Sequence, residues 1–203
     1  MDRRVIKRGM FELAEADRDV AKALKQIGLP EPRLRPAGFE TLFATIVSQQ
    51  ISTEAARAIR ERVVALMGDV TPRALLKVKP QALREAGMSF RKIEYARGLA
   101  EAIVAGELDV DGMKKQTDAE VIEAITALRG FGVWSAEIYL MFSLRRRDVF
   151  PAGDLALRSS LGRLKGRKEK LTEKQARELV EHWAPWRSVG SLFLWHYYRG
   201  APT

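Results

Sequence analysis

Apolar positions recur at helical spacing along nearly the whole chain. Phe39, Leu42, Phe43, Ile46 and Val47 fall at i, i+3, i+4, i+7 and i+8, one stripe down a helical face. Pro36-Ala37-Gly38 marks the opening of that helix. Ser52 or Thr53 is placed to cap the next one, with Glu54 in its first turn, a stripe through Ala55, Ala56, Ile59 and Val63, and Gly68 just past its end. Pro72 and Pro80 stand where short helices begin, because a first-turn residue needs no amide proton. Gly87-Met88-Ser89 breaks the chain ahead of a helix with Ile93, Ala96, Leu99, Ala100 and Ile103. Asp118 is placed to cap a helix with Val121, Ile122 and Ile125, and the last helices carry Ala176, Leu179 and Val180, then Val189, Leu192, Phe193 and His196. Alternating strand patterns are nearly absent, and there is no fixed-period repeat. The pattern predicts an all-α fold.

No long Gly/Ser/Pro linker divides the chain. Residues 1–36 read as a leading helix and a connector (Leu29-Pro30-Glu31-Pro32) packed on the core, and residues 37–203 as one unit folded into two helical lobes. A length of 203 residues, 46% hydrophobic and 30% charged, suffices for one substantial core and argues against disorder. No apolar run is long enough to cross a bilayer, so no membrane partner is expected. The opening Met1-Asp2-Arg3-Arg4-Val5-Ile6-Lys7-Arg8 has charges but no apolar stretch behind them, and a cytoplasmic, nucleoid-associated protein is the expectation.

The chain has no cysteine, which removes disulfides, thiol catalysis and a cysteine-ligated iron–sulfur cluster together. His182 and His196 are its two histidines, so no side-chain metal site and no cofactor are expected. A net charge of +9 points to a polyanion, through counterion release from phosphate backbones, although ribosomal and membrane-surface proteins share such a balance.

Two stretches carry candidate chemistry. In Leu128-Arg129-Gly130-Phe131-Gly132-Val133-Trp134-Ser135-Ala136, paired glycines make a very short turn between helical patterns. Such a turn lets another backbone approach and exposes the amides that open the next helix, where a phosphate is favoured. Taken alone, it fits an ordinary αα-hairpin as well. In Asp148-Val149-Phe150-Pro151-Ala152-Gly153-Asp154-Leu155-Ala156-Leu157-Arg158, a loop delivers Asp154 to a helix start. Asp154 suits an N-cap, accepting from the Ala156 or Leu157 amide, with its carboxylate still available to an adjoining cleft.

These elements, in this order, resemble the helix-hairpin-helix (HhH-GPD) DNA glycosylase superfamily, and within it the 3-methyladenine DNA glycosylase II family. Three further segments carry the likeness: Gly38-Phe39-Glu40-Thr41-Leu42 through Ser48-Gln49-Gln50-Ile51-Ser52, Gly87-Met88-Ser89 with Lys92 and Tyr95, and Trp186-Arg187-Ser188 through Trp195. The resemblance covers about residues 37–200. It implies two helical lobes flanking a base-binding cleft, a hairpin at 128–135, and no room for the β-rich domain that the family's best-known member carries in front.

It implies roles as well. Gly130, Phe131 and Gly132 would offer backbone amides to a DNA phosphate, Ser135 a hydroxyl, and carbonyls near Leu128 and Phe131 would hold a monovalent cation, Na+ or K+. Gln50 would fill the gap left in the duplex by an extruded nucleotide. Asp154 would be the catalytic carboxylate, and Trp195, Tyr139 and Ile138 would line the base pocket, Ile138 standing where the relative has a tyrosine. Trp134 occupies the place of the lysine that gives bifunctional members their lyase step. Asp148 is the rival acid, read as solvated or arginine-paired; Trp183 and Trp186 are read as core. Arg158, with Arg145-Arg146-Arg147, Arg163, Lys165, Arg167, Lys168 and Lys170, flanks Asp154 and is placed to track phosphates. The expected activity is hydrolysis of alkylated bases from double-stranded DNA by a monomer. The alternatives are a glycosylase for deaminated or etheno bases and a non-catalytic DNA-binding hairpin module.

Overall fold

Short polar side chains set most of the helix starts in this protein, whose computed structural model describes residues 1–200, the last two by backbone only. Among the described residues there is no strand. The chain divides into two units: Met1–Leu34 together with the chain from Leu140 onward, and Arg35–Tyr139.

The second unit begins with α3 (Phe39–Ser48) and α4 (Thr53–Met67), the latter capped by Ser52, whose hydroxyl accepts the Ala55 amide at 3.2 Å. The two proline-led helices α5 (Pro72–Lys77) and α6 (Pro80–Glu85) follow, then α7 (Phe90–Ala105), capped by Ser89. Thr117, rather than Asp118, caps α8 (Asp118–Thr126). Its hydroxyl accepts the Glu120 amide at 3.3 Å, and the Glu120 carboxylate accepts the Thr117 amide at 2.7 Å. That reciprocal pair satisfies two open amides, so the helix starts one residue earlier than a cap at Asp118 would allow. α9 (Val133–Phe142) then carries the chain into the first unit. Leu42, Phe43, Ile46 and Val47 of α3 are all buried, as their stripe requires, beside Val63, Leu75, Ile93, Ala96 and Ala100.

In the first unit the leading segment holds two helices, α1 (Arg3–Ala16) and α2 (Arg18–Ile27), where the pattern pointed to one. The remaining members are α10 (Leu155–Leu164), α11 (Glu173–Leu179) and α12 (Arg187–Gly200). α1 and α2 pack on each other and on α12, and α2 also packs on α10, so the first 34 residues belong to this unit's core. Met10, Leu13, Val20, Leu157, Leu161, Trp183, Val189 and Phe193 fill it, each contributing about 1.5–3 kcal/mol by leaving water when fully buried. Trp183 and Trp186 are both buried, as expected.

Asp17 is the break between α1 and α2 and the polar centre of this unit. It is 4% exposed, yet it accepts from Lys165 Nζ at 2.7 Å and Trp183 Nε1 at 2.7 Å, lies 3.0 Å from His182 Nε2, and caps α2 through the Asp19 amide. Burial pushes its carboxyl up, but the bonds from Lys165, Trp183 and His182 outweigh that and hold it at about 2.

Candidate active site

In the first unit, the loop before α10 is built of two tight turns. The Ala152 amide donates to the Phe150 carbonyl at 2.8 Å and the Asp154 amide to the Pro151 carbonyl at 2.9 Å. Asp154 then caps α10, its Oδ1 accepting the Leu157 amide at 2.9 Å. The Trp195 indole, on α12, points its N–H at the same oxygen from 3.4 Å. Both residues are half-buried, and the carboxylate is held at the helix start against an aromatic face.

That face is wider than the sequence showed. Phe142 lies 5.8 Å from Trp195, centroid to centroid, with ring planes tilted by 33°, and the Arg33 guanidinium sits 5.6 Å from the Phe142 ring centre. Sequence reasoning missed both, since Phe142 is merely the end of an apolar helix and Arg33 one of many arginines.

The segment leading to Asp154 is pinned to the start of α12. Ser188 Oγ accepts the Val149 amide at 2.8 Å and donates to the Val149 carbonyl at 3.2 Å, and the Ser188 amide donates to the Arg147 carbonyl at 3.0 Å. Asp148 is arginine-paired, as one of its two readings held, taking Arg187 Nε at 2.7 Å and Nη2 at 2.6 Å. Those bonds hold the Asp148 carboxyl below the usual carboxylate range, against an upward push from burial. It is a clamp, and Asp154 is the carboxylate left at the aromatic face.

Arg158 departs from its expected role. Its side chain turns inward, Nη1 donating to the Leu171 carbonyl at 3.1 Å with Nε buried, so it braces the loop after α10 rather than reaching for a phosphate.

In the second unit, Leu128 to Gly132 form the tight turn between α8 and α9. The Gly132 carbonyl accepts the Ser135 amide at 2.9 Å and the Ala136 amide at 3.2 Å, which starts α9. Gly132, Val133 and Trp134 are exposed there, with their amides at the positive end of the helix. Phe131 differs from expectation: its amide donates to the Leu128 carbonyl at 3.3 Å inside the turn, and its ring is buried. Ser135 differs too. At 9% exposed it faces inward, because the helix rotates it away from the open first turn.

Gly130 has φ +94, and a Cβ there would stand 2.3 Å from Cδ2 of Tyr95 on α7. Only glycine fits. Gly130→Ala is expected to cost about 1–3 kcal/mol of stability, read by urea unfolding. Gly132→Ala, where an added Cβ meets nothing within 4 Å, should unfold at nearly the wild-type urea concentration.

Gln50 is exposed, in the turn between α3 and α4, with left-handed φ 57. Its neighbour Gln49, which sequence reasoning passed over, sends Nε2 to the Gly130 carbonyl at 2.7 Å. Lys92 Nζ donates to the Val47 carbonyl at 2.7 Å near the end of α3, and burial lowers its pKa. The Gln50 turn, the hairpin and α7 are thereby tied together. Tyr139 and Ile138 do not open onto solvent: both are buried, Tyr139 is 2% exposed, and its hydroxyl accepts the Gly38 amide at 2.8 Å. The Tyr139 ring braces the start of α3 instead of presenting a stacking face.

Among its described residues the chain is all-helical, with a glycine-turn hairpin and an aspartate at a later helix start. The sequence profile of the HhH-GPD superfamily base excision DNA repair proteins matches residues 43–185, and the chain belongs to that superfamily. It is similar to the DNA-3-methyladenine glycosidase of Bacillus halodurans, whose crystal structure superposes with a TM-score of 0.84 at 37% identity, covering 92% of this chain and 86% of that one. The Schizosaccharomyces pombe 3-methyladenine DNA glycosylase, solved with abasic DNA, gives a TM-score of 0.85 at 28% identity over 96% of this chain and 98% of that one. DNA-3-methyladenine glycosylase 2 of Escherichia coli K12 is 29% identical over 203 aligned residues, 92% of this chain and 68% of that protein.

Proposed function

We propose that this chain is a monofunctional DNA glycosylase that binds double-stranded DNA as a monomer and frees alkylated bases of the 3-methyladenine type. One observation supports the reading above the others: the Asp154 carboxylate is fixed by the Leu157 amide and set against the Trp195 indole. Cleaving an N-glycosidic bond passes through an oxocarbenium-like sugar, by analogy with glycoside hydrolysis. The bond from C1′ to the base breaks with its electron pair going to the base, and a water oxygen takes its place on C1′. A carboxylate beside C1′ stabilises the positive charge and accepts the proton of that water. An alkylated purine is already cationic and leaves without a general acid, so one carboxylate suffices. Trp195 offers the cationic base an indole face, a contribution of about 0.5–2 kcal/mol.

The rest follows from the other unit. A base in a duplex must be extruded at a cost of a few kcal/mol, and the exposed Gln50 side chain offsets part of it by filling the gap. The first-turn amides of α9 grip a phosphate. Carbonyls near Leu128 and Phe131 are hard oxygen donors suited to Na+ or K+, which would add positive charge at that grip; the Leu128 carbonyl also accepts the Phe131 amide and the Gly130 carbonyl the Gln49 side chain. Trp134 in the lysine's place leaves no amine for a Schiff base.

Mass spectrometry of bases freed from DNA carrying mixed methyl, etheno and deaminated lesions tests the reading. Free methylpurine should appear, and the strand should stay intact until alkali cuts it. Release confined to deaminated or etheno bases would replace the substrate class, and no release from any damaged duplex would leave only a binding module.

A further inference from the structure

The first unit carries an apolar groove that no step of base excision uses. It lies between α1, α2 and the segment after α2, has a volume of about 520 Å³, and has Met10, Phe11, Leu24 and Leu29 among its lining residues. Phe11 is 65% exposed, and Leu29 is exposed as well. Arg4, Lys7, Arg8 and Phe11 fall at i, i+3, i+4 and i+7, so three cations rim the groove on the same helical face as the phenyl ring. Arg8 is partnered by Glu12, at 2.9 Å, whereas neither Arg4 nor Lys7 is in a salt bridge among the described residues.

We propose that this groove is a docking site for an acidic peptide segment of another protein that inserts one or two bulky apolar side chains. The chemistry selects that partner. Duplex DNA would meet the cationic rim but leave the apolar floor wet, since phosphates gain nothing there. A second copy of this chain is disfavoured, because two chains that each carry a net charge of +9 repel. An anionic bilayer would meet the cationic rim as well, and the vesicle arm of the test separates it; the open hollow, about 520 Å³ in volume, has room for one or two bulky side chains. An acidic, apolar peptide satisfies floor and rim together, as an anchor in a pocket with a charged rim.

The test uses the full chain and a fluorescein-labelled twelve-residue peptide of aspartates and glutamates with two phenylalanines, followed by fluorescence anisotropy. Saturable binding is expected, weakened about tenfold or more by Phe11→Ser and by the Arg4→Glu, Lys7→Glu pair, and lost when the peptide's phenylalanines become serines. Phe11 is exposed, so the variant should keep its circular dichroism melt and its base-release rate. Absence of saturable binding overturns the proposal, as does equal affinity of wild type and Phe11→Ser. So does Phe11-dependent dimerisation by sedimentation, or Phe11-dependent capture by phosphatidylglycerol vesicles, without peptide binding.

Discussion

Asp154→Asn is expected to slow release of methylpurine by about 10²- to 10⁴-fold while leaving affinity for abasic DNA at the wild-type level. Asparagine keeps the length of the side chain and an oxygen able to accept from the Leu157 amide and the Trp195 indole, so α10 still starts where it did. What disappears is the negative charge that would face the oxocarbenium-like sugar, together with the base that would take the proton of water. Asp154→Ala removes the cap as well and should lose a further 1 kcal/mol or so of stability, which separates the structural task of this residue from the chemical one. Single-turnover base release and DNA anisotropy, measured on both variants, check the point. Undiminished release by Asp154→Asn would take this carboxylate out of the reaction.

The largest loss of stability is expected from Asp17→Ala, about 3–5 kcal/mol, a large share of what holds a domain of this size together. Removing that carboxylate leaves Lys165, with its side chain 14% exposed, facing only Asp19, and leaves the buried indole N–H of Trp183 without an acceptor. It also uncaps α2. The same group sets an acid response. Its folded value of about 2 lies below the ordinary 3.8, so its contribution is complete above about pH 4 and fades as pH falls towards 2. The linked free energy is about 2 kcal/mol. Urea midpoints of wild type should therefore drop across that window and come closer to those of Asp17→Ala, without meeting them, because the protonated carboxyl still accepts from Trp183 and the α2 amides. Parallel curves would mean that Asp17 titrates normally.

How much could be read beforehand depended on how local each signal was. The stripe of α3, the proline-led starts of α5 and α6, and the cap at Asp154 are written within a few consecutive residues. The cap of α8 was just as local, with Glu120 three residues after Thr117, but Asp118 masked it. Other features are not local at all. Gln49 meets Gly130 across 81 positions and Asp17 meets Lys165 across 148, and nothing near either residue announces the partner. Ser135 and Phe131 were assigned to the hairpin correctly in chain order, yet which atoms face outward is settled by the rotation of α9 and the hydrogen bonds inside the turn. Arg158 shows the same limit: among many arginines, its inward course depends on a carbonyl 13 residues away.

The bond from Gln49 to the hairpin carbonyl couples two mechanical tasks. If the Gln50 loop probes a base pair and the hairpin turn seats on the backbone, as proposed, this bond makes a shift of one felt by the other. Pressing on a strand and testing its stacking would then be a single stroke, and a searcher sliding along undamaged DNA would interrogate each pair with the same gesture by which it holds on.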